Sequence, residues 1–474
     1  MTKDLDFAFA SRYGSDEMRA LWSDDQMRRT WRRLWVALAD ALALAGLVTP
    51  EQVRDLRLHA DKLNTRRALE IEREIGHDVM AEVRAFAEQC PTGGGVIHWG
   101  ATSADITDNA DILRLRESLR LLRGRLAELL AAFADQAALH RGLTCMAYTH
   151  LQPAEPTTVG YRLAGYAQDL LEHLRALDQL TAGLRGKGLK GAVGTQAAYG
   201  ELLAGSGMSA AELETSFLAA LELPAFTIAT QTYPRSQDYA VLAALAGLAA
   251  SLHKFAFDLR LLQSAGLGEM AEPFGEKQVG SSAMPFKRNP VNAEKICSLA
   301  RHVAALPAVA WGNAADSLLE RTLDDSANRR VILPEACLAL DEILLTALKI
   351  VRGLRVNAAA CASNLARYGP FAATERVLMA LVRAGADRQT MHERLREHSL
   401  RAWDVVGKGQ ANPLAQNLAA DPVLLRHLQP ARLTELMQAE RYTGTAAERT
   451  EALVAEIRRA LAPSGERPVA PAAS

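Results

Sequence analysis

The sequence predicts an all-α protein organised around a bundle of long antiparallel helices, and three observations carry that reading. Apolar residues recur at alternating three- and four-residue steps over long stretches, the period-two alternation of strands is nearly absent, and polar interruptions fall between the periodic stretches. The consequence is a set of helices each presenting one apolar seam to its neighbours.

Taken in order, Leu119, Leu122, Leu126, Leu129 and Phe133 form the first seam and Leu163, Tyr166, Leu170, Leu174 and Leu177 the second. Leu245, Leu248, Leu252, Phe255, Leu259 and Leu262 form the third, and residues 292–354 are again rich in alanine and leucine. Narrow seams of this kind pack within one bundle and also suit helices of further subunits. The CPTGGG stretch from Cys90 interrupts the pattern before the first long helix, its glycines permitting a turn. Beyond Arg355 shorter periodic pieces are broken by RYGP, RAGAD and GKGQANP. These edges predict an N-terminal helical domain over residues 1–98, a central long-helix bundle over 99–354 containing a loop at 275–290, and a C-terminal helical domain over 355–462. The PSGERPVAPAAS tail at 463–474 has the composition of a disordered segment.

With 474 residues, 49% of them hydrophobic, the chain is long enough for about three domains with a large core. Its 54 Lys and Arg against 55 Asp and Glu leave no basic block, so no nucleic-acid or anionic-membrane surface is expected. Any anionic ligand must be met by local arginines and lysines. The five cysteines, Cys90, Cys145, Cys297, Cys337 and Cys361, have no paired spacing, which argues against a disulfide framework or a zinc site and for buried thiols in a reducing compartment. The opening MTKDLDFAFASRYG lacks a secretory pattern, and the apolar AVLAALAGLAASL stretch from Ala240 is shorter than the roughly 20 residues a bilayer needs. A soluble cytoplasmic protein, without metal or other cofactor, is the expectation.

Four polar islands interrupt the helical pattern: GHDVMAEV from Gly76, HWGATSADITDN from His98, YTHLQPAEPTTVG from Tyr148 and GSSAMPFKRNP from Gly280. Singly, each reads as a helix cap or turn. Thr102 or Ser103 would satisfy orphan amides, Asp105 and Asp108 would favour a helix N-terminus, and Thr157 or Thr158 would cap the helix after the prolines. His77 and Asp78 lack the paired-histidine spacing of a zinc motif. Polar connections between packed helices are also where binding and catalytic groups are held, so the four together suggest one composite site.

GSSAMPFKRNP closely resembles the signature loop of the fumarase and aspartase superfamily of lyases. GATSADITDN and THLQPAEPTT resemble its other two shared regions, in the expected order. Within that superfamily the chain is most similar to the adenylosuccinate lyase family, in its longer animal form. The similarity is carried by SRYGSDEMRALWS, HDVMAEV, GTQAAYG, QTYPR and above all ERTLDDSANRR at Glu320 to Arg330, and runs from about Ser11 to Gly444.

The resemblance implies a β-elimination that releases fumarate from adenylosuccinate, giving AMP, and from the related succinylcarboxamide ribotide (SAICAR, giving AICAR) in purine biosynthesis. That reaction needs a base for a weak carbon acid, a cation that stabilises the charged carboxylate, and an acid for the departing nitrogen. By resemblance Ser281 is the base, Lys287 the stabilising cation and His150 the acid, with His77 assisting. Asp78, Thr102, Ser103, Thr149 and Gln231 would meet the substrate, and Arg12, Tyr13, Arg321, Ser326 and Arg330 would hold the nucleotide. Lys295 stands where the animal enzymes carry an arginine, keeping the charge and losing the planar fork. The resemblance further implies a homotetramer whose sites each draw on three chains, because islands at opposite ends of long antiparallel helices cannot all meet within one chain. A silent structural relative, or a cycloisomerase on the same scaffold, is the competing reading.

Overall fold

The structure, a computed structural model, describes residues 8–462 apart from 276, 279 and 281. The tail at 463–474 and Ser281 therefore lie outside the described residues. The fold is all-α: long helices span Ser103–Leu139, Val159–Gly183, Ser236–Leu262, Val291–Ala315 and Asp324–Arg352, with shorter helices before and after them. Every leucine of the first seam, with Phe133, is fully buried, as are the leucines and Phe255 of the third to within a few per cent.

Contacts divide the chain into two units, and each of the five long helices contributes residues to both. The first unit comprises residues up to Arg125, His173–Ala250 and Ser298–Leu345. Its N-terminal core gathers Trp31, Leu34 and Trp35 of the Asp24–Leu44 helix with Leu56, Phe86, Ile106, Tyr199 and Phe217. Local sequence sets these helices. Ser23 caps the first through the Gln26 amide at 3.1 Å, and Thr49 with Gln52 forms a capping box before Pro50, the first residue of the Pro50–His59 helix. Arg28 and Arg32 lie inside this core and both bond the buried Glu82, at 2.8 and 2.7 Å. Removing either partner would strand a charge in the interior.

The second unit comprises Leu126–Glu172, Ser251–Cys297 and the chain from Thr346. Phe133, Tyr166 and Phe255 form an aromatic cluster with ring centroids 5.0 to 6.5 Å apart, and the Tyr166 hydroxyl donates to Asp258 at 2.8 Å. Farther along, the Ala358–Arg383 and Arg388–Gly407 helices share a core of Val377, Leu381, Met391, Leu395, Leu414 and Leu418.

One element was not legible as a strand. Thr144–Thr149 and Gln152–Thr158 pair antiparallel, with Thr149 opposite Gln152 and a bulge between Met146 and Tyr148. Pro153 and Pro156 make the second strand read as a broken loop, yet an edge strand tolerates prolines whose missing amides are not needed by a neighbour. The hairpin lies on the Ala358–Arg383 helix, where Met146 packs with Leu365 and Ala439.

The 27-residue Ser236–Leu262 helix is long and apolar enough to cross a bilayer by length and composition. Its pattern is nonetheless that of a core helix. Val241, Leu242, Leu245, Leu248 and Leu252 are buried, and the buried Asp238 near its start pairs with Arg329 at 2.7 Å. All five cysteines are free and buried, as the scattered spacing predicted.

Candidate active site

In the first unit the local fold delivers His77 and Asp78 to a helix N-terminus. Gly76 ends the Thr65–Ile75 helix at φ +66°, a conformation that suits a residue without a side chain, and the next residue opens the Asp78–Gln89 helix. His77 is the N-cap, its Nδ1 accepting from the Met80 amide at 3.3 Å. A neutral ring accepting at Nδ1 carries its proton on Nε2, which faces Ser103 Oγ at 3.4 Å. Asp78 accepts from the Val79 amide at 2.7 Å and from Arg330 Nη2 at 2.6 Å. Burial works to raise the Asp78 pKa, but the Arg330 guanidinium and the Val79 amide outweigh it and hold the carboxyl below its ordinary range.

Ser103, His77, Asp78 and Arg330 thus form one polar chain drawn from three segments far apart in sequence. Behind it lies a buried charge lattice that the sequence reading missed. Asp105 and Asp108, read there as helix-end residues, are almost wholly buried. Asp105 takes Lys187 Nζ at 2.6 Å, the Tyr199 hydroxyl at 3.1 Å and the Gly191 amide at 3.2 Å. Asp108 takes both terminal nitrogens of Arg235, at 3.0 and 3.1 Å, and the Tyr233 amide at 3.0 Å. Arg235 also reaches Asp325 at 2.6 Å, and Asp325 holds Arg321 at 2.7 Å. Burial works to raise the Asp325 pKa, and Arg235 and Arg321 together bring it below the ordinary value. The GATSADITDN, GTQAAYG, QTYPR and RTLDDSANRR motifs are therefore bonded to one another. A sequence signal existed in the i, i+3, i+6 spacing of Asp105, Asp108 and Asp111, which puts three acids on one helix face.

The other candidates of this unit have definite places. Gln231 is held at both ends, its amide N–H on the Glu320 carbonyl at 3.2 Å and its side chain on the Ala192 carbonyl at 3.1 Å. Thr102 donates its amide to Asp105 at 3.0 Å, and Ser326 lies one turn before Arg330. Arg12 is exposed and Tyr13 half-buried against Phe9. Among the described residues no hydrogen bond or ion pair joins Arg12 or Tyr13 to the His77 group. His98, not singled out from sequence, has φ +70° and accepts at Nδ1 from Trp35 Nε1 at 3.0 Å. Burial lowers its pKa to about 4, so near neutrality it is an uncharged imidazole with a proton on Nε2.

In the second unit Thr149 and His150 occupy the hairpin tip. His150 and Leu151 are the two turn residues, at φ +54° and +60°, and both are exposed. Two consecutive positive φ values define the turn that matches strand twist, normally filled by asparagine or glycine. The signature loop is tied at its feet. Asn289 Nδ2 donates to the Gly280 carbonyl at 2.8 Å, and Gln263 Nε2 to the Arg288 carbonyl at 3.0 Å. Arg288 lies 5.3 Å over the Phe274 ring. A Cβ on Gly280 would meet the Lys287 carbonyl at 2.1 Å, so this glycine serves close backbone approach. Buried Glu272 caps the next helix through the Asn292 and Ala293 amides at 3.2 and 2.9 Å, which sets Lys295 one turn in. Lys287 is exposed between these anchors.

The fold presents a histidine-bearing polar group at a helix end in the first unit and a tethered polar loop in the second, and comparison with known proteins supplies the class: a lyase. The sequence model of the lyase family matches residues 11–305, and that of the adenylosuccinate lyase C-terminus matches 370–453. Adenylosuccinate lyase of Schistosoma mansoni is 40% identical over 86% of this chain and 86% of its own. That of Saccharomyces cerevisiae is 38% identical over 93% and 92%, and that of Archaeoglobus fulgidus 36% over 93% and 96%. The chain belongs to the adenylosuccinate lyase family. Among solved structures it is similar to 3-carboxy-cis,cis-muconate lactonizing enzyme of Pseudomonas putida, with a TM-score of 0.84 at 27% identity over 96% of this chain and 99% of that one. It is also similar to a fumarate lyase from Mesorhizobium, with a TM-score of 0.82 at 25% identity over 93% and 98%.

Proposed function

We propose that this lyase eliminates fumarate from adenylosuccinate, leaving AMP, and from the succinylcarboxamide ribotide of the earlier purine step, within the cytoplasm. The observation that carries the reading is the polar group at one helix end, in which Ser103 Oγ faces His77 Nε2 and the adjacent Asp78 accepts from Arg330. It ties a motif shared by the whole superfamily to the RTLDDSANRR segment that distinguishes this family. The muconate enzymes share the fold at lower identity, whereas the relatives at 36 to 40% identity are all adenylosuccinate lyases.

In this mechanism Ser281 removes the proton beside the succinyl carboxylate, Lys287 stabilises the charge that builds on that carboxylate, and His150 protonates the departing nitrogen. Thr102, Ser103, Thr149 and Gln231 hydrogen-bond the succinyl group, while Arg12, Tyr13, Arg321, Ser326 and Arg330 receive the nucleotide, guanidinium forks being suited to its phosphate. Lys295 keeps a positive charge near the signature loop without the fork. An ultraviolet assay of the purified protein should show fumarate released from both substrates; release from neither overturns the reading.

The site is completed between chains of a homotetramer, each centre drawing on three of them. Two features support this. Ser103 and Arg330 belong to one unit and His150 and Lys287 to the other, and the long helices leave Phe257, Trp311 and Val331 about half exposed, apolar surface suited to helices of further copies. Mixing inactive His150→Ala and Ser281→Ala variants should restore part of the activity through hybrid sites. No recovery after verified subunit exchange would overturn the shared-site arrangement.

A further inference from the structure

The sequence carries no metal motif that joins Asp55, His59 and Cys90, which come from two helices with no recognisable joint spacing. In the first unit, Asp55 and His59 stand one turn apart near the end of the Pro50–His59 helix, and Cys90 caps the end of the Asp78–Gln89 helix. One carboxylate oxygen, one imidazole nitrogen and the thiol sulfur lie within 4.8 Å of one another. The Asp55 Oδ1 to His59 Nδ1 separation is 3.2 Å. Both side chains are mostly buried, at 12 and 21% exposure, and Cys90 is buried.

We propose that Asp55, His59 and Cys90 bind one zinc-class divalent cation. The donor set is one oxygen, one nitrogen and one sulfur, all ligands zinc accepts at roughly 2.0 to 2.3 Å, and three protein ligands leave a fourth position for water. Tetrahedral angles at those lengths put ligand atoms about 3.3 to 3.7 Å apart, so no pair has to close by more than about 1 Å, within the reach of side-chain torsions. Asp55 is already oriented for the task. Its Oδ2 accepts the Thr92 and Gly93 amides, each at 2.8 Å, leaving Oδ1 turned toward His59, the outer-shell bonding that fixes a ligating carboxylate. His59 Nδ1–H now donates to the Asp55 carbonyl at 2.9 Å; on binding, that nitrogen gives up its proton and its contact, and the neutral ring carries its proton on Nε2. Burial pushes the Cys90 thiol up to about 12, so sulfur coordination expels the thiol proton to solvent. The neighbouring Arg32 is neutralised by Glu82 at 2.7 Å. The ion would join two helices, the second of which carries His77 and Asp78 at its other end.

The test uses the full chain after chelator treatment, titrated with Cd2+ as a spectroscopic substitute and then with Zn2+. The expected result is an ultraviolet thiolate-to-metal band saturating at one ion per chain, removed by Zn2+ competition, with a higher melting temperature in Zn2+. Cys90→Ser should abolish the band, and His59→Gln should weaken binding at least about tenfold. If Cys90→Ser fails to fold, His59→Gln carries the test alone. No band at one equivalent, or binding unchanged in the folded variants, overturns the site. None of these readouts depends on lyase activity, so the result stands apart from the reaction assigned above.

Discussion

Lys287→Met is expected to lower kcat for fumarate release by about 10²- to 10³-fold, with a smaller change in KM. The ammonium acts where charge concentrates in the transition state, so its loss is felt in the rate more than in ground-state binding. Lys287 is exposed in a loop and closes no core, so helical content and melting temperature should be unchanged. Lys287→Arg should recover only part of the rate, because the guanidinium spreads its charge and is larger. Steady-state kinetics on both substrates provide the check. A variant within threefold of the parent would remove Lys287 from the stabilising role.

Arg235→Met is expected to destabilise the protein by about 3–5 kcal/mol, the usual cost of breaking a buried ionic network from one side. Arg235 is 6% exposed and satisfies Asp108 through both terminal nitrogens and Asp325 through Nε. Its removal takes both guanidinium bonds from the buried Asp108, leaving it the Tyr233 amide, and leaves Asp325 with Arg321 as its remaining close partner. Urea denaturation should show the midpoint falling, and Asp108→Asn in the same background should restore part of the loss. A loss of unfolding free energy under about 1 kcal/mol would mean that water or a rearranged partner meets those carboxylates.

The helical seams were legible because burial enforces the 3.6-residue period, and every predicted seam leucine is buried. The candidate site was legible only in part. His77, Asp78, Ser103 and Arg330 could be named from motifs, yet nothing in sequence spacing says that Asp78 meets Arg330, 252 positions away. Asp105 and Asp108 looked like end-of-helix acids because a cap and a buried ion-pair hub use the same residue type; only the partner arginine and lysine distinguish them. The hairpin escaped notice because Pro153 and Pro156 carry the signal of a break even when they lie on an edge strand. The proposed Asp55, His59 and Cys90 cluster escaped for the opposite reason, since its residues carry no joint pattern at all.

The hairpin tip places His150 and Leu151 where folding alone would choose asparagine and glycine. Backbone strain of this kind costs on the order of 1 kcal/mol per residue and persists only where the surroundings over-determine it. The two rankings of substitutions at 150 therefore run in opposite directions: glycine or asparagine would relax the turn while removing the imidazole. A stability-guided redesign of this chain would replace its proposed acid early, and would score the result as an improvement.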